Sequence, residues 1–119
     1  MHELARIGLL AELPGELLEK LAARMSREQL PAGATPVVEG REGDRFYVVL
    51  TGMFAVSQKD LGARRVLRPG DYFGEVALTL DVPRTASVRA LTPATVASCD
   101  RATFDEFLRP LLSDTETSA

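Results

Sequence analysis

Between Pro31 and Cys99 the chain is broken at short intervals by turn-forming residues: Pro31 and Gly33, Gly40 and Gly43, Gly52, Gly62, Pro69 and Gly70, Gly74, Pro83 and Pro93. The stretches they leave are short and rich in β-branched or aromatic residues: Val37–Val38, Phe46–Leu50, Phe54–Val56, Val66–Leu67, Ser87–Arg89 and Thr95–Ala97. Short strands at this spacing predict an antiparallel sandwich or barrel, with glycine supplying positive φ at the tight corners. Helical patterns flank this region. Leu13, Leu17, Leu21 and Met25 recur every fourth residue with Leu18 beside them, and Glu16, Glu19, Lys20 and Arg24 fall mostly on the other face. Pro14 suits the first turn of that helix, and a shorter helix is expected over Leu4–Leu10. After the strands, Asp100 caps a helix carrying Phe104, Phe107 and Leu108, which Pro110 stops or bends. The polar tail Ser113–Ala119 is expected to be disordered.

A chain of 119 residues supports one hydrophobic core and one domain. Its net charge of −3 argues against nucleic acid as the main partner, because backbone phosphates call for a basic face. A local site can still hold one small anion. Cys99 is the single cysteine and His2 the single histidine. That excludes an internal disulfide and a cysteine-cluster metal site, and it argues against a Ser-His-Asp or Cys-His catalytic pair within the fold. No apolar run approaches the ~20 residues of a membrane span and no signal peptide is visible, so a cytoplasmic setting without membrane contact is expected.

The informative segment runs from Arg68 to Ala90. Glu75 to Leu80 contains good helix formers and predicts one short helical turn with Gly74 just before it. A glycine there lets a ligand approach the backbone, and the free N–H groups of the first turn then favour an anion. Arg84 stays charged at working pH, and its planar fork matches two phosphate oxygens. Pro83 stiffens the approach to it and Thr85 adds a hydroxyl. An acid such as Glu75 repels phosphate unless a neutral donor bonds it, and a ribose hydroxyl is such a donor. The set describes a nucleotide whose sugar hydroxyl and phosphate lie close together.

Phe73-Gly-Glu-Val-Ala-Leu followed by Pro83-Arg-Thr-Ala-Ser-Val resembles the phosphate-binding cassette of cyclic nucleotide-binding domains, found in cyclic-nucleotide-dependent kinases, gated channels and bacterial catabolite activators. Pro31-Ala-Gly33, Val38-Glu-Gly40, Gly43 to Val49 and Gly52 fall where that family makes turns and strands, so the resemblance covers roughly Leu9 to Leu108. It implies a mainly β domain with flanking helices: an eight-stranded antiparallel double-stranded β-helix, or jelly-roll barrel, over residues 31–99, with helix over 1–30 and 100–109 and a tail over 110–119. It implies cAMP or cGMP as the ligand, with no other cofactor. Glu75 would accept from the ribose 2′-hydroxyl and Arg84 would pair with exocyclic phosphate oxygens. The N–H groups of Ala77 and Ala86 would donate to phosphate, and Gly74 and Val76 would line the sugar. Thr85 can reach phosphate and a guanine amino group, which keeps cGMP open alongside cAMP. The family's C-terminal helix usually covers the base. Here few residues follow Leu108 and Pro110 interrupts them, so the lid is expected to be absent, truncated or supplied by a longer parent.

Plainer readings stand beside these. Glu75 and Arg84 could form a surface ion pair worth little. The side chains of Val76 and Leu78, and Phe73, read as core. Cys99 reads as a small buried hydrophobe, and Arg64, Arg65 and Arg68 as a solvated hairpin, with a phosphate contact from one of them as the lesser alternative. Function then divides between a cyclic-nucleotide sensor acting on an attached or partner effector, alone or as a fragment of a longer regulator, channel or transporter, a catabolite-activator-type regulator without its DNA-binding part, and a degenerate domain that binds nothing. A metal-holding cupin-type enzyme lacks the histidines it needs, and no catalysis is expected. A homodimer is left open.

Overall fold

The computed structural model describes Gly8, residues 10–59 and residues 62–112. The helix expected over Leu4–Leu10 and the tail Ser113–Ala119 therefore lie outside the described residues, save for Gly8 and Leu10. A single 3-10 turn, Leu10–Glu12, leads into helix α1, Gly15–Arg24. Pro14 occupies the N-cap, one step before the first turn, and its carbonyl accepts from the Leu18 N–H at 3.0 Å. The buried face of α1 is Leu18 and Leu21, while Leu17 remains 39% exposed. The core-facing direction thus passes between Leu18 and Leu21, and Leu17 lies at the edge of the stripe.

Helix ends at Arg24, not at residue 30. Ser26–Leu30 is strand β1, paired antiparallel with β7 from Ser26↔Ser98 to Leu30↔Ala94. Its polar sequence has no alternating apolar face, and all but Leu30 is exposed. The pairing comes from its neighbour rather than from its own pattern. The remaining strands are β2 (Arg45–Thr51), β3 (Phe54–Gln58), β4 (Gly62–Leu67), β5 (Tyr72–Phe73), β6 (Ser87–Ala90) and β7 (Ala94–Asp100). Among the described residues this makes seven strands rather than eight. Val37–Val38 contributes only a bridge, Val37↔Val88, although the Ala90 N–H also donates to the Ala34 carbonyl at 2.8 Å along the same edge of β6.

Two antiparallel sheets result, in strand order β1-β7-β2-β5 and β4-β3-β6. They face each other across one apolar cluster built from Tyr47, Val49, Phe73 and Val96 on one side and Phe54, Leu67, Val88 and Ala90 on the other. The opposite face of the larger sheet supplies a second cluster, in which Phe46, Val48, Ala97 and Cys99 meet Leu18, Leu21, Phe104 and Leu108 from the helices. Successive strand residues point to opposite faces. Strands β2 and β7 are therefore buried on both faces; β2 reads as an apolar run from Phe46 to Leu50, whereas β7 also buries the polar Thr95 and Ser98. Phe46, Leu21 and Phe104 have no exposed surface, and each such burial contributes roughly 1.5–3 kcal/mol.

The C-terminal helix begins at α3, Arg101–Thr103, where the Asp100 carboxylate accepts the Thr103 N–H at 2.9 Å. It widens into a π-turn over Phe104–Leu108, and the Arg109 N–H donates to the Phe104 carbonyl. Helical backbone then continues to Leu112, so Pro110 does not stop it. The widened turn lies immediately before Pro110, whose ring and missing N–H conflict with a regular bond to the carbonyl four residues back.

Candidate functional site

Strand β5 turns into helix α2, Glu75–Leu80, through Gly74 at φ 91°. A Cβ at Gly74 would stand 2.8 Å from the Arg45 carbonyl oxygen and 3.1 Å from Arg84 Nη1, so glycine is required by space as well as by conformation. Phe73 is core, stacked on Tyr47 at 4.8 Å and tilted against Phe54 at 5.3 Å. Ala77 and Leu78 are buried and hold α2 to the sheet, whereas the Val76 side chain is 38% exposed rather than core.

Arg84 approaches this turn from the segment before β6. Its backbone is fixed at both ends: the Gly40 N–H donates to the Arg84 carbonyl and the Arg84 N–H to the Arg41 carbonyl, each at 2.8 Å. Its guanidinium donates from Nη1 to the Gly74 carbonyl and from Nη2 to the Arg45 carbonyl, both at 2.9 Å. The side chain lies flat against Gly43, where a Cβ would meet Nε at 2.0 Å. Arg84 is only 7% exposed. Among the described residues no carboxylate forms an ion pair with it. Burial pushes the guanidinium below its ordinary value, countered through space by Tyr47, Asp44 and Glu75. It nevertheless stays a cation. A buried charge held only by neutral carbonyls is costly and favours an anionic partner.

All seven residues singled out in the sequence line one cleft of about 190 Å³. Gly74, Glu75, Val76 and Ala77 come from the start of α2, and Arg84, Thr85 and Ala86 from the segment before β6. Apolar side chains of Val37, Val56 and Val88 complete it. Glu75 and Arg84 share this cleft without the surface ion pair that was the plainer alternative. Burial raises the Glu75 carboxyl above its usual range, opposed by its own amide, Arg65, the Val76 amide and Arg84, in that order. Thr85 is exposed, and its carbonyl accepts from Gln58 Nε2 at 2.9 Å.

Two contributors are not assigned to the site by the favoured sequence reading. Gly43 looked like a turn, yet its missing side chain makes room for the guanidinium. Arg65 looked like part of a solvated hairpin; it is exposed on β4 and also lines the cleft beside Glu75. Neither carries a local signal, since Gly43 acts from the loop before β2 and Arg65 from β4, both outside the Gly74–Ala86 segment. The assembled wall offers a buried cation, a half-buried carboxylate and an apolar floor, chemistry suited to a small anion that also bears a hydroxyl and an apolar ring.

The sequence profile of the cyclic nucleotide-binding domain family matches residues 27–110. The chain belongs to that family. The domain is 38% identical over 106 residues to the cAMP-dependent protein kinase regulatory subunit of Candida albicans, covering 89% of this chain and 23% of that protein. It is 32% identical over 114 residues to a cGMP-dependent protein kinase of Caenorhabditis briggsae, covering 91% of this chain and 15% of the kinase. The domain thus spans only a small part of these relatives. Among solved structures it superposes on the regulatory domain of Toxoplasma gondii PKA with cAMP at a TM-score of 0.89, with 28% identity and coverage of 98% of this chain and 48% of that one. The regulatory subunit of a cAMP-independent protein kinase A from Trypanosoma brucei superposes at 0.90 with 25% identity, covering 97% and 42%. Shared fold therefore does not choose the ligand, and the side chains in the cleft must.

Proposed function

We propose that this domain binds a cyclic purine nucleotide, cAMP or cGMP, as a signal and performs no chemistry on it. The observation that carries this is Arg84: a residue 7% exposed, its guanidinium held by two backbone carbonyls, lining a cleft it shares with Glu75. Arg84 pairs with the exocyclic phosphate oxygens and gives the buried cation its anion. Glu75 accepts from the ribose 2′-hydroxyl. The Ala77 and Ala86 amides donate to phosphate while Gly74 and Val76 line the sugar. Thr85 and Arg65 line the same cleft, and their donors suit a purine edge. A guanidinium can bond the O6 and N7 of guanine and a hydroxyl its amino group, whereas adenine lacks the O6 acceptor.

The similarity to regulatory subunits supports a cytoplasmic regulator whose effector is a protein kinase, attached or separate. Ligand acts on such an effector only through different affinities for two conformations. Calorimetric titration with cAMP, cGMP and a cyclic dinucleotide tests the proposal. One saturable site for cAMP or cGMP is expected. Absence of heat and of any melting shift with all three ligands would remove it.

A further inference from the structure

The C-terminal helix grips the cassette helix by its carbonyl end. Arg109 donates from Nη2 to the Leu78 carbonyl at 2.6 Å and from Nη1 to the Thr79 carbonyl at 3.1 Å. Its Nε donates to Asp105 Oδ1 at 2.9 Å, and its guanidinium lies 5.7 Å from the Phe104 ring centre. Arg101 reaches the same Leu78 carbonyl with a long contact of 3.5 Å. The last carbonyls of a helix have no partner within it and carry partial negative charge, so a cation there is favourable.

The π-turn makes this possible. Arg101 and Arg109 are eight positions apart, which on a regular α-helix turning about 100° per residue separates them by roughly 80°. One extra residue in the turn removes about 100° and leaves them within roughly 20° of each other, both facing α2. The widened turn before Pro110 therefore has a consequence beyond accommodating proline: it aims Arg109 at Leu78 and Thr79.

We infer that Arg109 is a positioning residue for ligand binding, a clamp that fixes helix α2 from its carbonyl end so that Gly74–Ala77 stay aligned with Arg84. In its ligand arm this inference rests on the function proposed above. Linkage makes the clamp reciprocal: what α2 gains from ligand is felt by the C-terminal helix.

Two variants, Arg109→Gln and Arg109→Lys, test it by amide hydrogen exchange and by titration with cAMP and cGMP. In the ligand-free Gln variant, exchange across Ala77–Val82 should quicken while β3 and β6 keep wild-type rates. Its affinity should fall about tenfold, within the usual range of coupling between sites, and the Lys variant should recover part of the loss. Ligand should slow exchange in Arg101–Leu112 of the wild type and not of the Gln variant. Wild-type exchange in α2 of the Gln variant would overturn the clamp, as would a rise spread evenly over both sheets. A wild-type chain that takes up neither nucleotide sinks the ligand reading instead, and ligand-free exchange still decides the clamp.

Discussion

Arg84 and Glu75 are both placed at a cost to the free protein, and that cost makes each testable. Gly43 is the residue that admits the Arg84 side chain. In Gly43→Ala the new methyl would stand 2.0 Å from Nε, so the guanidinium must leave its carbonyl partners. The expected loss of stability is about 1–3 kcal/mol, typical of overpacking, read by denaturant melts. Nucleotide affinity should fall with it, and unchanged affinity would show that Arg84 is not held there. Glu75 has its pKa raised in the folded state, chiefly by burial. The folded protein then binds that proton more readily than the unfolded chain, so stability is lost as pH rises from the unfolded value through the folded one. Glu75→Gln should therefore melt higher than wild type at neutral pH. The gain should vanish below the ordinary carboxylate range, where wild-type Glu75 is protonated in both states. The same variant should bind nucleotide more weakly, so stability and binding move in opposite directions.

At the level of elements, the parts that local chemistry dictates were legible and those that depend on a distant neighbour were not. Helix α2 starts at Glu75 because Gly74 can turn the chain and good helix formers follow; both are visible in the sequence. Asp100 declared itself as a cap in the same way. Strand β1 did not, because Ser26-Arg-Glu-Gln-Leu30 has no apolar alternation and is strand only by pairing with β7. Strand β5 is two residues long and offers no period to read. The cleft followed the same rule. Its seven cassette residues fall in two short runs within residues 74–86, whereas Gly43 and Arg65 come from other strands and loops. For α1 the four-residue spacing located the helix but not its exact inward face. Leu21→Ala should cost about 2–5 kcal/mol, as for a fully buried leucine. Leu17→Ala should cost far less, since that side chain is 39% exposed. Equal losses in thermal melts would mean that the stripe, not the observed face, is correct.

For the whole molecule, the larger sheet carries core on both faces: helices on one, the second sheet and the cleft on the other. Cys99 has no exposed surface and lies in the cluster between that sheet and the helices. Burial, with the Asp100 charge nearby, pushes its thiol up to about 12. A thiol reagent should modify it only when the domain opens. Ligand bound solely to the folded form at a hundred times its dissociation constant adds about 2.7 kcal/mol, enough to slow labelling about a hundredfold. Rapid labelling of the native chain would contradict a single cooperative domain. The most direct measurement is a paired calorimetric titration of the wild type and Arg84→Ala with cAMP and cGMP. Saturable wild-type binding that weakens at least about tenfold in the variant is predicted, matching a charge-assisted contact of roughly 1.5–3 kcal/mol. Equal binding by the two proteins would place the phosphate away from Arg84 and contradict the account.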